Sequence, residues 1–217
     1  MNAKLVVVVR WIMGVQFLLN GLNWWVKIFP FPNAFDAPGG FMKHDVVGAM
    51  IDTGWMFGLA KVIEIVTGLA LVFNRYIPLM LVVSMPVVLS TFLLDSFFLD
   101  EIVGWLAGDV APGVAGSAFL DWIFWGGSVM AMQVYMMLAY FHYYQPMLVR
   151  KPEHLPGRPV DFTPAAPGVI ESCRVIRRCY SVLGVIALIT GTISTLWLIL
   201  MINQWLVPWS SLRIIAH

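Results

Sequence analysis

Between Trp55 and Phe73 the chain reads WMFGLAKVIEIVTGLALVF, long and apolar enough to cross a bilayer except that Lys61 and Glu64 sit at its middle. A full charge at the centre of an inserted helix costs roughly 2.5–3.5 kcal/mol on insertion scales, so both side chains must turn from lipid into a bundle. At about 100° per residue, Gly54, Gly58, Lys61, Ile65 and Gly68 share one stripe, and Glu64 lies about 60° to its side. Small residues on such a stripe admit a neighbouring helix. The interior of the molecule, and any chemistry it performs, is expected along that face.

The rest of the composition agrees. Of 217 residues, 60% are hydrophobic and 12% charged, against roughly 45–50% and 25% in soluble domains, which makes an integral membrane protein the expected class. A formal net charge of +1 without a basic block points away from nucleic acid. No nucleophile triad, phosphate loop or metal-ligand spacing is present, which disfavours a self-contained hydrolase or NTPase. The first residues, MNAKLVVVVRWIMG, start like a signal sequence, but Arg10 interrupts the apolar run and no small-residue cleavage site follows, so an uncleaved span is expected. Cys173 and Cys179 match neither a CxxC redox pair nor a zinc pair and read as reduced packing thiols.

Five spans are expected. The first, Lys4 to Phe29, carries one polar face of Gln16, Asn20, Asn23 and Lys27 and a second stripe of Arg10, Gly14, Phe17 and Gly21, with Trp24 and Trp25 at an interface. A Pro/Gly stretch and FMKHDVVGAMID follow, too short and charged to span and suited to lying on the mouth of a bundle. Span 2 ends at Asn74 and Arg75, a turn short enough to make span 3, Tyr76 to Leu94, its antiparallel neighbour, kinked at Pro86. The segment from Asp95 to Asp121 holds Asp95, Asp100, Glu101, Asp109 and Asp121 without a basic residue and reads as a solvated loop with a short amphipathic element. Span 4, Phe119 to Tyr140, packs with Gly126, Gly127 and several methionines, and His142 sits in an ordinary aromatic belt. A proline-rich strap then leads to Arg174, Arg177 and Arg178, placed for anionic lipid headgroups. Span 5, Tyr180 to Val207, lacks a polar stripe and suits the bundle's edge, facing lipid or another subunit.

The expected fold is therefore all-α and polytopic: a four-helix transmembrane bundle over residues 1–145, a strap over 146–179 and an additional C-terminal transmembrane helix over 180–217. Basic residues gather on one side (Lys4, Arg75, Arg150, Lys151, Arg158, Arg174, Arg177, Arg178) against Lys27, Lys43 and Arg213 on the other. A bacterial-type plasma membrane is the expected location, and that asymmetry predicts the N-terminus inside and the C-terminus outside. Counting helical rise, Arg10 lies roughly 9 Å and Glu64 roughly 15 Å from the inner end of their spans, a difference an arginine can bridge. The expectation is a midplane cluster of Arg10, Lys61 and Glu64 ringed by Gln16, Asn20 and Asn23. Its surplus positive charge suits an anion or a polar headgroup such as a quinone carbonyl; the same residues also read as an ion-pair network that only fixes helix register.

The order Arg10, Gly14, Phe17, Gly21 in span 1 and Glu64, Gly68, Leu69 in span 2 resembles the DoxX-like family of small four-helix membrane proteins, over about Leu5 to Phe141. The resemblance implies a four-helix bundle with the Arg and Glu inside and an association with sulfur or redox metabolism, including the membrane subunit of thiosulfate:quinone oxidoreductase. The chain departs from that pattern in its strap and fifth span, Met147 to His217, and in lacking a cysteine pair suited to thiol chemistry. The departures favour an accessory or structural subunit of a membrane redox or energy-converting complex, with lipids and other membrane subunits as partners through the fifth helix. A quinone-linked oxidoreductase subunit or small-molecule transporter using the charged cluster is the alternative, with quinone as its implied cofactor.

Overall fold

A computed structural model describes residues 3–27, 41–141, 143–144 and 174–206, and among them every regular element is helical. In chain order these are α1 (Ala3–Val26), α2 (Phe41–Asp52), α3 (Met56–Val72), α4 (Ile77–Asp95), α5 (Phe98–Ala107), α6 (Pro112–Trp122), a π-helical turn (Ile123–Gly127), α7 (Ser128–Ala139) and α8 (Arg174–Leu206). Among the described residues four stretches are long and apolar enough to cross a membrane, α1, Ile77–Ala107, Pro112–Ala139 and Arg178–Leu200, and a bent pair makes up to five. The architecture is compatible with a multi-pass membrane protein.

The second expected span is shorter than its composition suggests. α3 has 17 residues, about 26 Å at 1.5 Å per residue, and it passes as a span only jointly with α2, from which it bends by 95°. The break has a local cause. Gly54 turns the chain with φ of +78°, a conformation open to glycine, and the Met56 N–H donates to Thr53 Oγ1 at 3.1 Å to start the new helix. α2 thus crosses the end of the bundle, the position expected for FMKHDVVGAMID.

Packing follows heptad-like stripes. Ile77, Leu81, Ser84, Val88 and Asp95 are buried along α4. On α8, Tyr180, Gly184, Ala187, Gly191, Ser194 and Leu198 are buried at alternating spacings of four and three, the pattern that holds one helical face against a partner. A Cβ added to Gly184 would meet Tyr135 and Leu5, and one added to Gly191 would meet Met132 and Ile12, so this face lies in the groove between α1 and α7. α8 is an edge helix, as expected, but it has a small-residue stripe and one face committed to the bundle; Val182, Ile186, Ile189 and Ile193 remain exposed on the others.

The acidic segment contains the expected short amphipathic element, α5, but it is not otherwise a solvated loop: α6 follows, and Asp95 and Glu101 are buried while Asp100 and Asp109 are exposed. Asp95 fits because Gly126, in the π-helical turn, has no side chain: a Cβ there would stand 2.6 Å from Asp95 Oδ2. The strap lies outside the described residues up to 173, as does Cys173, whereas Cys179 is a free and exposed thiol, not a packed one.

Candidate functional site

α1 and α3 run antiparallel with their backbones nearly touching. A Cβ at Gly21 would stand 3.0 Å from Lys61 O and 3.1 Å from Ile65 N, and one at Gly68 would stand 2.9 Å from both Gly14 O and Leu18 N. The Gly14–Gly21 stripe of α1 and Gly68 of α3 thus form the close crossing that small residues permit. The same register fixes the charges. Residues near Lys61 face Gly21 and residues near Leu71 face Gly14, so Glu64 falls opposite Asn20 and Arg10 falls beyond the end of α3.

Arg10 accordingly does not join Glu64, a correction to the expected three-charge cluster. Its Nη1 donates to Asn74 Oδ1, and its guanidinium also meets the Tyr140 hydroxyl, tying α1 to the α3–α4 turn and to the end of α7. About ten residues of helix separate Asn74 from Glu64, roughly 15 Å along the axis. Estimating depth from span ends placed Arg10 too near because it lacked the glycine-set register.

Glu64 instead pairs along its own helix. Lys61 Nζ donates to Glu64 Oε1 at 3.0 Å and Oε2 at 2.9 Å, and the carboxylate-bearing residue is only 8% exposed. Lys61 Nζ also lies 5.2 Å from the Phe57 ring centre, and Trp24 packs edge-on against Phe57 at 4.8 Å. An i,i+3 pair neutralises two charges but, among the described residues, ties α3 to no other helix. A role in fixing helix register therefore falls to the glycines and to Arg10.

Lys61 and Glu64 line a cavity of about 660 Å³ bounded by α1, α2, the halves of α3 and α4 away from their connecting turn, and Trp125. Asn20, Asn23, Ser90, Thr91 and Asp95 supply its other polar groups, and the remaining wall is chiefly apolar. Trp125 is 5% exposed, and its indole Nε1 meets no acceptor among the described residues. Size, apolar walls and a few convergent polar groups match small-molecule sites, which run from about 300 to 1,000 Å³.

Of the six residues expected to cluster, Asn20, Asn23, Lys61 and Glu64 come together and two do not. Gln16 faces the opposite way: its Nε2 donates to Gly191 O and to Thr195 Oγ1, each at 3.0 Å, clamping α8 to α1. Asp95, Thr91 and Trp125 were not expected at the site. For Thr91 and Asp95 the signal was the α4 repeat Ser84, Val88, Thr91, Asp95, a helical face that runs unbroken into what reads as loop; Trp125, in the π-helical turn, had none. Of the arginines expected at lipid headgroups, Arg178 is exposed at the start of α8, while the side chains of Arg174 and Arg177 lie outside the described set. Among the described residues no group of three His, Cys, Asp or Glu is placed to hold a metal ion.

No protein-family model, curated protein or solved structure matches the chain.

Proposed function

We propose that this protein is an integral membrane subunit that binds one amphipathic small molecule in the cavity beside α3, with the polar end of the ligand at Lys61 and Glu64. The observation that carries the reading is the placement of the ion pair. It lines a cavity of about 660 Å³ and joins no two helices, so its burial serves the cavity and not the bundle. A Lys donor beside a Glu acceptor suits a headgroup with an oxygen acceptor and a hydroxyl donor, the pairing a quinone and its quinol present. The DoxX-like resemblance supports the same chemistry, since it implies an association with redox metabolism that includes a quinone-linked membrane subunit; the accessory-subunit role rests instead on the strap and fifth span by which the chain departs from that family.

The test uses a decyl-chain benzoquinone and the purified chain in phosphatidylcholine vesicles. Glu64→Gln is expected to weaken binding by roughly 10- to 150-fold, the loss of a charged hydrogen bond worth about 1.5–3 kcal/mol. Glu64→Gln leaves Lys61 buried without its carboxylate, so a loss of stability accompanies the loss of binding. Lys61→Met/Glu64→Gln removes both charges, and because the pair bridges no helices among the described residues the double variant keeps its yield and thermal stability while binding as poorly. Unchanged affinity in either variant would overturn the reading, as would a double variant that fails to assemble.

A further inference from the structure

We infer that the cavity is loaded sideways from the hydrocarbon of the bilayer, so that its ligand is a lipid-soluble molecule that never passes through water to reach Lys61 and Glu64; this rests on the ligand-binding reading above. Near their connecting turn, α3 and α4 are packed shut, with Leu71, Ile77 and Leu81 fully or almost fully buried in the common core. Toward the other end the two helices part. There the cavity wall is made by facing stripes, Met56, Leu59 and Ile63 on α3 and Pro86, Ser90 and Leu94 on α4. The rims of that gap are exposed: Met56 is 44% and Leu59 is 49% exposed, and Pro86 and Ser90 are exposed as well.

The same side of the molecule carries Val62, Val66, Val82 and Leu89, all exposed and all apolar. In a membrane these side chains meet acyl chains, so a gap between them opens onto lipid. The end that faces away from the connecting turn is covered instead. α2, turned 95° from α3, places Val47, Met50 and Ile51 against the cavity. Rims that are apolar apart from Ser90, and an apolar cover, leave a path that a hydrocarbon tail crosses at little cost, while a hydrated ion meets little beyond that one hydroxyl to replace its water before the ion pair. The occupant is a single-tailed amphiphile whose headgroup reaches Lys61 and Glu64 and whose tail lies out through the gap.

Two carbodiimides read the route, because both modify the Glu64 carboxyl but one dissolves in lipid. With the full chain in phosphatidylcholine vesicles, dicyclohexylcarbodiimide and a water-soluble amine-bearing carbodiimide are compared by mass spectrometry, counting either the reagent adduct on Glu64 or the Lys61–Glu64 amide that its departure leaves. The lipid-soluble reagent is expected to react at least about tenfold faster, as a group buried within the hydrocarbon depth requires. Ser90→Trp, which fills the gap, slows it by a similar factor. Ala49→Trp on α2, an exposed position outside the cavity lining, leaves the rate unchanged. Leu59→Trp repeats the block from α3, and elution as a single species on gel filtration shows that each variant is folded.

Equal rates for the two reagents, slowing by Ala49→Trp in place of Ser90→Trp, or no labelling by either reagent would each overturn sideways loading. Labelling that falls as the protein-to-lipid ratio rises assigns the gap to a second copy of the chain and overturns it too. If the lateral pattern holds but the decyl-chain benzoquinone gives Glu64 no protection, the ligand reading fails while the route stands.

Discussion

The two sides of α3 obey opposite rules. Toward α1 the helix is closed so tightly that glycine Cα atoms replace side chains: Gly68 has Gly14 O and Leu18 N 2.9 Å from where a Cβ would sit. Toward α4, over the half that carries Lys61 and Glu64, the helix stands away from its neighbour across about 660 Å³. One helix thus provides both an anchored wall and an open one. In a membrane, where apolar side chains gain little by leaving lipid for protein, close backbone approach is a main source of cohesion. Spending it on one side leaves α3 rigid enough to carry a buried ion pair on the other.

The strongest way to break this contrast is to put the same side chain on each surface. Gly68→Val forces a branched side chain against backbone atoms that cannot step aside, and a loss of about 1–3 kcal/mol or more is expected, as for overpacking of a closed core. Gly58→Val, on the same helix but with nothing within 4 Å of its Cβ position, is expected to change stability by less than about 0.5 kcal/mol. Thermal unfolding of both in one detergent checks the pair, and equal losses would erase the distinction between the walls.

A smaller effect sharpens the role of α1, which supports α3 on one face and α8 on another. Gln16→Leu removes the donor shared by Gly191 O and Thr195 Oγ1 but keeps the volume. A loss of about 1 kcal/mol is expected, since a neutral hydrogen bond contributes about 0.5–1.5 kcal/mol and Gly191 O still accepts from Thr195. Quinone binding should be untouched, because Gln16 faces away from the cavity. A fall in affinity equal to that of Glu64→Gln would place Gln16 in the site after all.

Much of this contrast was legible in the chain. The stripe Gly14, Phe17, Gly21 and the stripe Gly54, Gly58, Lys61, Ile65, Gly68 are spaced for one helix face each, and they meet from Lys61 to Gly68, whereas Gly54 falls in the turn before α3 and Gly58 faces open space. Periodicity assigns residues to faces but does not say how two helices slide past one another; that comes from where glycine backbones fit. Without the slide, Arg10 was matched to the wrong partner, although its need for one was plain. Asp95 and Glu101 were read as solvated because five acids without a basic residue look like a loop, and composition does not report the notch that Gly126 opens for a carboxylate. The commitment of α8 was missed because Gly184, Ala187, Gly191 and Ser194 are too apolar or too small to stand out as a polar stripe, although their spacing alone defines a packing face.

The finest test adds bulk on the open side where the structure has room for it. Ala60 lines the cavity one turn before Glu64, and Ala60→Leu places an isobutyl group into space that is already apolar. Inside a closed core such an enlargement costs about 1–3 kcal/mol, but beside an open volume it displaces only the contents, so a change within about 0.5 kcal/mol is expected. Binding should respond in the other direction, with the decyl-chain benzoquinone losing affinity as the added carbons take up part of its volume. A variant that is stable and binds poorly separates the cavity from the scaffold. A variant that is destabilised as much as Gly68→Val would mean that α3 and α4 close on each other in the membrane, and the open wall of α3 would then be no different from its closed one.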